Sequence, residues 1–181
     1  MTTRALLLID IQNDYFDGGR MPLVGSLEAA ARAAELLAAF RRRAEPVFHV
    51  QHVSTRAGAS FFLPDTDGVR IHAFVAPQEG EPVVVKRFPN AFRDTLLAER
   101  LSAASVSQLT VAGMMTHMCI DTSVRAAADL GFECTLVADA CATRDLAWQG
   151  QVVPAAQVQA AYLAALNGSF ARVSSVAELL A

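Results

Sequence analysis

The sequence predicts an α/β protein, a three-layer sandwich with a six-stranded parallel sheet and helices on both faces. Apolar runs of strand length alternate with segments of helical periodicity along the chain, which is the pattern of βα units. The first run, residues 5–9, is continuously apolar, as expected of a strand buried on both sides. The chain has 181 residues and contains no linker or repeat, so we expect one domain over residues 1–181.

Each element is placed by local signals. Ser26 is a candidate N-cap of the first helix, Gly131 ends the third helix, and Pro154 begins the fourth. Glycine and proline interrupt residues 54–81, so we expect a long loop there that shapes a pocket together with residues 142–153. The predicted strands cover residues 5–9, 46–53, 82–85, 108–112, 134–138 and 171–173, and the predicted helices cover residues 26–43, 94–103, 120–130, 154–167 and 176–180.

Composition argues against several classes of protein. The net charge of −3 provides no basic surface for nucleic acid. No stretch approaches the ~20 apolar residues of a membrane helix, and the apolar run before Asp10 is too short for a secretory signal. The cysteines Cys119, Cys134 and Cys141 are odd in number and lack metal-ligand spacing. We therefore expect a cytoplasmic protein that binds neither nucleic acid nor membranes.

Three reactive residues follow the carboxyl ends of predicted strands. Asp10 follows the first strand, Lys86 follows the third, and Cys119 lies beyond the fourth, at the start of a helix. Ligands of open α/β sheets bind at this edge, so the three side chains are expected to converge. Each of them alone could be structural: a cap, a surface charge and a small buried apolar side chain. The positive end of a helix would favour the thiolate form of Cys119.

These residue types suit nucleophilic attack on an amide. Asp10 can accept the thiol proton and later pass it to the departing amine. Lys86 can lower the pKa of the thiol and hold the carboxylate. Backbone N–H groups around Met115 and Cys119 can bind the oxyanion that forms on the substrate.

The chain resembles the isochorismatase-like cysteine hydrolases over nearly its whole length. Three segments carry the resemblance in the order found in that family: Leu8-Ile9-Asp10-Ile11-Gln12-Asn13-Asp14, Val84-Val85-Lys86 with Asn90-Ala91-Phe92, and Gly113-Met114-Met115-Thr116-His117-Met118-Cys119. The resemblance implies a six-stranded parallel sheet and a catalytic triad of Cys119, Asp10 and Lys86. It also implies a cis peptide bond between Met114 and Met115, which would aim the Met115 N–H at the oxyanion.

The presence of Cys119 points to the amide-hydrolysing branch of this family, because true isochorismatases resemble it without the nucleophilic cysteine. The expected function is hydrolysis of a C–N bond in a small amide through a thioester on Cys119, without a cofactor. The alternative is a non-catalytic or divergent member of the same fold that binds a small molecule. A nucleotide- or flavin-binding protein is disfavoured, because no glycine-rich phosphate loop follows the first strand.

Six side chains are candidates for substrate binding. Phe62 lies in the long loop and Trp148 lies beside Gly150, where core packing is least expected, although core packing is the alternative for each aromatic residue. His117 could serve as a base, as a pocket or interface residue, or as a structural residue. Trp148 also favours a homo-oligomer, a dimer or a larger assembly. The full set is Gln12, Phe16, Phe62, Phe92, His117 and Trp148.

The resemblance to nicotinamidases raises the question of a metal. Those relatives bind a metal through an Asp-x-His pair and a later His. His52 takes the place of the His in the pair and His72 follows in the loop, but Val50 stands where the Asp is expected. We therefore expect no metal, and we expect His49 and His52 to be hydrogen-bonded at a strand end.

Overall fold

The computed structural model describes residues 3–181 and contains eight strands in that range. They are β1 (Thr3–Ile9), β2 (Val47–His52), β3 (Val83–Lys86), β4 (Val106–Met114), β5 (Glu133–Ala142), β6 (Leu146–Trp148), β7 (Gln151–Val153) and β8 (Arg172–Ser174). Six of them form one sheet in the order β3-β2-β1-β4-β5-β8, and every neighbouring pair is parallel. The predicted fold class is therefore confirmed.

Five α-helices cover the two faces of this sheet within residues 3–181. They are α1 (Ser26–Arg42), α2 (Leu97–Ala103), α3 (Asp121–Asp129), α4 (Ala155–Leu166) and α5 (Val176–Leu180). Buried residues of α1 and α5 share one core with the sheet, and buried residues of α2, α3 and α4 share the other. None of these helices combines the length and the apolar character that a membrane span requires.

Strand β1 shows how the apolar sequence produces two cores. Side chains alternate across a strand, so Leu6 and Leu8 pack into the core beneath α1, whereas Leu7 and Ile9 pack into the opposite one. All four are at most 2% exposed. Burial on both faces explains the continuous apolar run in the sequence.

The structure corrects several predicted element boundaries. Ser26 is the first residue of α1 rather than its N-cap, and Gly25 occupies the cap position with a left-handed backbone. Helix α2 begins at Leu97 rather than at residue 94, because Asp94 also has a left-handed backbone, with φ of 54°. The long loop of residues 54–81 contains short 3₁₀ helices at Asp67–Val69 and Ala73–Val75. The β6–β7 hairpin was not predicted.

The carboxyl ends of the strands meet at one edge of the sheet, which we call the catalytic edge because the residues predicted to form a catalytic triad lie at or beyond these ends. Ile9 pairs with Gly113 and His52 pairs with Lys86, so β1, β4, β2 and β3 end at similar heights. A side chain at Gly113 would overlap the carbonyl oxygen of Ile9, and glycine is therefore required for the close approach of β4 to β1. This approach brings the segment after β4 next to Asp10.

Candidate active site

Asp10, Lys86 and Cys119 meet at the catalytic edge as predicted. The ammonium nitrogen Nζ of Lys86 lies 2.6 Å from Oδ2 of Asp10 and 3.2 Å from Sγ of Cys119. The three residues are 0%, 1% and 3% exposed, respectively. Three segments that are far apart in the sequence thus place a carboxylate, an ammonium and a thiol in contact, away from solvent.

Lys86 remains charged in this buried setting. Burial lowers its pKa, but the charge of Asp10 and the hydrogen bonds to Asp10 and Cys119 raise it more, so that the pKa lies above its ordinary value. Nζ also lies 3.0 Å from Nδ1 of His52 and donates to the carbonyl oxygen of Phe88 at 3.1 Å. These contacts hold the ammonium between the acid and the sulfur.

The thiol of Cys119 is protonated in the resting protein. Burial raises its pKa, the negative charge of Asp10 raises it further, and Lys86 opposes the shift only in part. Cys119 lies inside a π-helical turn, Thr116–Ile120, that precedes α3. The expectation that a helix start favours the thiolate is not met in the resting state, because burial and the charge of Asp10 outweigh the groups that lower the pKa. Burial likewise raises the pKa of Cys134 to about 11 and that of Cys141 to about 12.

The backbone around Cys119 is turned sharply. The peptide bond between Met114 and Met115 is cis, as the resemblance implies. The carbonyl oxygen of Met115 accepts hydrogen bonds from the N–H groups of Met118 and Ile120, which ties the residue before the π-turn to the turn itself. The N–H groups of Met115 and Cys119 belong to this constrained segment, which is where the oxyanion hole is predicted.

Asp10 is positioned by its own backbone. Its φ of 54° places it in the left-handed region, which Asp tolerates better than most residues. Its N–H donates to the carbonyl oxygen of Val50, and its own carbonyl oxygen accepts from the N–H of Gln12. Oδ1 of Asp10 is buried and receives no hydrogen bond from a donor within residues 3–181. A carboxylate oxygen of Asp10 therefore remains available for the thiol proton.

Similarity to known proteins establishes the family to which this chain belongs. A family model described as the isochorismatase domain matches residues 4–178. The chain belongs to the isochorismatase family. It is 49% identical over 178 residues to the isochorismatase family protein YddQ of Bacillus subtilis, across 98% of this chain and 99% of that protein.

A solved structure and an amidase extend the comparison. A crystal structure described as an isochorismatase hydrolase of Oleispira antarctica matches with a TM-score of 0.95 at 53% identity, over 99% of this chain and 96% of that chain. Maleamate amidohydrolase of Pseudomonas putida is 35% identical over 153 residues, 76% of this chain and 70% of that protein. The chain is thus a member of a hydrolase family that has amidase relatives.

Gln12 was predicted to contact substrate, but in this isochorismatase-family chain it has a different role. Its amide NH₂ donates to the carbonyl oxygens of His52 and Val69 at 2.9 and 2.7 Å, and its Oε1 accepts from the N–H of His52 at 2.7 Å. The side chain is fully buried. Gln12 therefore clamps the end of β2 in place, and its amide is not directed at a substrate.

Two of the predicted aromatic contacts pack against other aromatic side chains. Phe62 is 0% exposed and packs on Tyr15, with ring centroids 4.6 Å apart, so it belongs to the core despite its place in a loop, and the prediction that it contacts substrate is corrected. Phe92 stacks on Phe132, the residue before β5, with ring centroids 6.1 Å apart. A contact of Phe92 with substrate stays a prediction.

The remaining candidates lie around the catalytic edge or on the surface. Nδ1 of His117 is hydrogen-bonded to Oγ1 of Thr143 at 2.6 Å, so this ring connects the π-turn to the end of β5 rather than acting on Cys119. Phe16 stacks on His72 at 3.8 Å and lines a cavity of about 530 Å³ beside Asp14. Trp148 is 72% exposed on the hairpin.

The donor set does not fit the metal site of the nicotinamidase relatives. Val50 is buried and offers no ligand atom. Nδ1 of His52 faces Lys86, and Nδ1 of His72 accepts from the N–H of Phe74. Atoms of Asp10, His52 and Cys119 do lie within 4.8 Å of one another, but the ammonium of Lys86 contacts all three residues and supplies the positive charge there.

Sequence reasoning missed two groups near the site. Arg144 follows β5 by two residues, is exposed, and makes no ion pair with any residue between 3 and 181. Arg144 directly follows Thr143, which is hydrogen-bonded to His117 of the π-turn, so it lies beside the catalytic edge. Burial lowers the pKa of His117, and the charge of Arg144 lowers it further. His52 was identified as a strand-end residue but not as a partner of Lys86. The position of Arg144, two residues past a strand, was a weak sequence signal that it lies near the site. No sequence signal indicated that His52 contacts Lys86.

Proposed function

We propose that this chain hydrolyses a C–N bond of a small amide with Cys119 as the nucleophile. The observation that supports the proposal is the buried contact of Lys86 with both Asp10 and Cys119. Such a set contains the proton acceptor, the fixed positive charge and the nucleophile that acyl transfer requires. The amidase relative named maleamate amidohydrolase supports the same reaction type.

In the first half-reaction, Asp10 accepts the thiol proton while Sγ of Cys119 forms a bond to the amide carbon. The carbonyl oxygen becomes an oxyanion that accepts hydrogen bonds from the N–H groups of Met115 and Cys119. As the carbonyl re-forms, the C–N bond breaks and Asp10 returns the proton to the departing nitrogen. Ammonia or an amine leaves, and a thioester remains on Cys119.

In the second half-reaction, a water molecule loses a proton to Asp10 and attacks the thioester carbon. The C–S bond then breaks, the sulfur recovers the proton from Asp10, and a carboxylic acid is released. Lys86 stabilises the thiolate whenever the sulfur carries negative charge, since its ammonium is 3.2 Å from Sγ. The cycle returns the protein to the protonated thiol of the resting state.

Arg144 favours amides that carry a negatively charged group. Its guanidinium is exposed and has no ion-pair partner in the part of the chain that the structure describes. A carboxylate is the natural partner of an unpaired guanidinium. We therefore infer that half-amides of dicarboxylic acids are better substrates than neutral amides of the same size.

The test is release of ammonia from a panel of small amides by the wild type and by Cys119→Ala. We expect the variant to fold normally and to lose activity by roughly 10³-fold or more. Cys134→Ala is the matched control, because this buried cysteine lies away from the triad, and it should retain activity. Mass spectrometry of the wild type during turnover should find an acyl group on Cys119. Full activity of Cys119→Ala would refute the proposal.

A further inference from the structure

The ring of His52 contacts the charged groups of the predicted triad. It ends β2, pairs with Lys86 in the sheet register, and places Nδ1 3.0 Å from Nζ of Lys86. The same Nδ1 lies 3.9 Å from Oδ2 of Asp10. Nδ1 of His52 thus faces the ammonium of Lys86 and the carboxylate of Asp10, which leaves Nε2 as the other ring nitrogen.

The contact with Lys86 fixes the protonation of the ring. An ammonium has only N–H donors, so Nδ1 must present a lone pair to it, and the single ring hydrogen must be on Nε2. Burial and the charge of Lys86 lower the pKa of His52 to about 4, so the neutral ring persists at neutral pH. His52 is therefore held as the tautomer that carries its hydrogen on Nε2.

The Nε2–H group of His52 has no acceptor among the described residues, and neighbouring residues hold His52 in place. Within residues 3–181, no group accepts a hydrogen bond from it. The side chain of His52 is 15% exposed, whereas those of Asp10 and Lys86 are 0% exposed, so His52 is the more accessible member of this cluster. Gln12 clamps both the N–H and the carbonyl of His52, and the ring packs near Phe62.

We propose that His52 donates a hydrogen bond from Nε2–H to the substrate and thereby selects amides with a second acceptor atom, such as another carbonyl oxygen. This specificity role rests on the proposed amidase function. It is supported by distance, because a ring nitrogen of His52, a carboxylate oxygen of Asp10 and Sγ of Cys119 all lie within 4.8 Å of one another, so that a substrate bound to Cys119 lies beside the ring. His52 is a positioning residue for the substrate and takes no part in proton transfer.

Nitrogen NMR of protein labelled with ¹⁵N-histidine tests the tautomer without any assay of activity. We expect Nδ1 of His52 to show the shift of an unprotonated ring nitrogen and Nε2 that of a protonated one, unchanged down to about pH 5, above its pKa of about 4. Loss of these signals in His52→Asn assigns them. A hydrogen on Nδ1, or a doubly protonated ring at neutral pH, would overturn the proposal.

Binding of a matched pair of neutral amides tests the role in specificity. Succinamide has a second amide carbonyl, and butyramide has a methyl group at that end. Succinamide added to Cys119→Ala should shift the Nε2 signal of His52, and butyramide should not. No shift with succinamide up to its solubility would overturn the proposal. A shift without any hydrolysis by the wild type would support the role of His52 and count against the amidase function.

Variants at His52 separate a hydrogen bond to substrate from a structural role. Asn can keep the acceptor for Lys86 but does not reach as far as Nε2, whereas Gln extends an NH₂ group to about that position. The preference in kcat/KM for succinamide over butyramide should fall about tenfold in His52→Asn, the loss expected for one hydrogen bond, and should partly return in His52→Gln. Equal preference in all three proteins would show that the ring is only structural.

Discussion

The ammonium group of Lys86 has three hydrogens and four close acceptor atoms. Asp10, His52, the carbonyl oxygen of Phe88 and the sulfur of Cys119 all lie within 3.2 Å of Nζ. Nζ is hydrogen-bonded to Nδ1 of His52, to the carbonyl oxygen of Phe88 and to Sγ of Cys119, and it forms an ion pair with the carboxylate of Asp10. When the thiol proton moves to Asp10, the sulfur becomes negatively charged, and its hydrogen bond from Lys86 becomes charge-assisted. Loss of the thiol proton should therefore strengthen the contact between Lys86 and the sulfur.

Substitutions of the two charged partners should move the pKa of Cys119 in opposite directions. The charge of Asp10 raises the pKa of this thiol, so Asp10→Asn should lower it. The ammonium of Lys86 lowers it, so Lys86→Met should raise it. The rate of alkylation by iodoacetamide as a function of pH, mapped to each cysteine by mass spectrometry, measures both shifts.

Cys134 and Cys141 provide internal standards in the same experiment. Burial is the largest cause of the raised pKa in both, so their alkylation should not respond to either substitution. Both variants should also lose amidase activity, since each removes a group on which the triad depends. A higher pKa of Cys119 in Asp10→Asn would contradict the electrostatic account of the site.

At the scale of elements, the approach of β4 to β1 depends on Gly113. A Cβ there would overlap the carbonyl oxygen of Ile9, and the φ of 141° is unfavourable for any other residue. Gly113→Ala should lower the free energy of unfolding by about 2 kcal/mol or more and impair catalysis, because the π-turn that carries Cys119 follows directly. Urea unfolding and amide hydrolysis measure the two effects.

Gly131→Ala is the matched control for this substitution. Gly131 also has a left-handed backbone, with φ of 89°, but a Cβ there would meet no atom within 4 Å. It should therefore show only the conformational cost, about 1 kcal/mol, and normal activity. Equal losses of stability in the two variants would show that the contact with Ile9 has no importance.

Glu81 joins α1, β2 and the start of β3. Its carboxylate accepts hydrogen bonds from Arg41 and from the backbone of Gln78, and it lies 2.9 Å from Nε2 of His49. Burial raises the pKa of Glu81, but these hydrogen bonds lower it more, to about 2. A lowered pKa contributes stability above the unfolded value of 4.5, and this contribution is lost as the pH falls toward 2.

Glu81→Gln should therefore reduce the free energy of unfolding at pH 7 by roughly 1–2 kcal/mol. It should also flatten the dependence of stability on pH between 4.5 and 2. Urea unfolding at a series of pH values measures both. Glu35→Gln is the control, because its pair with Arg32 is about half exposed and should contribute little. An unchanged pH dependence in Glu81→Gln would contradict this account.

Local patterns predicted the elements of the sheet because long apolar runs and glycine or proline signals act within a few residues. The β6–β7 hairpin escaped prediction because each strand has three residues, too few for a visible alternation. The prediction that Phe62 contacts substrate was wrong for a different reason. Its burial depends on Tyr15 and on the fold of the loop over β1, which no local pattern encodes. The convergence of Asp10, Lys86 and Cys119 was predictable because all three lie at or beyond strand ends, whereas the contact between His52 and Lys86 depends on strand register.

For the whole molecule, the order of the strands arranges the chemistry in a row. Along the catalytic edge, β3, β2, β1, β4 and β5 are followed or ended by Lys86, His52, Asp10, Cys119 and Arg144, respectively. Cys119 thus has Asp10 and the neutral ring of His52 on one side and the exposed guanidinium of Arg144 on the other. A cavity of about 660 Å³ lies at the opposite edge, between the starts of β4, β5 and β8, and does not reach this row.

The surface of the hairpin supports the prediction that the chain forms a homo-oligomer. Trp148 and Val152 are 72% and 65% exposed, and residues 146–153 contain no charged side chain. Exposed aromatic and aliphatic side chains on an uncharged strand pair are typical of the centre of an interface between subunits. We propose that copies of the chain associate through this hairpin, which follows Arg144 directly in the sequence.

Sedimentation velocity should then show a dimer or larger assembly for the wild type and a smaller species for Trp148→Ser at the same concentration. Leu130→Ser is the matched control, because Leu130 is 55% exposed at the end of α3, and its loss should leave the assembly intact. Because the hairpin adjoins Arg144, we expect Trp148→Ser to raise the KM for half-amides more than it lowers kcat. A monomeric wild type would contradict the prediction, and an unchanged assembly in Trp148→Ser would place the interface on another surface.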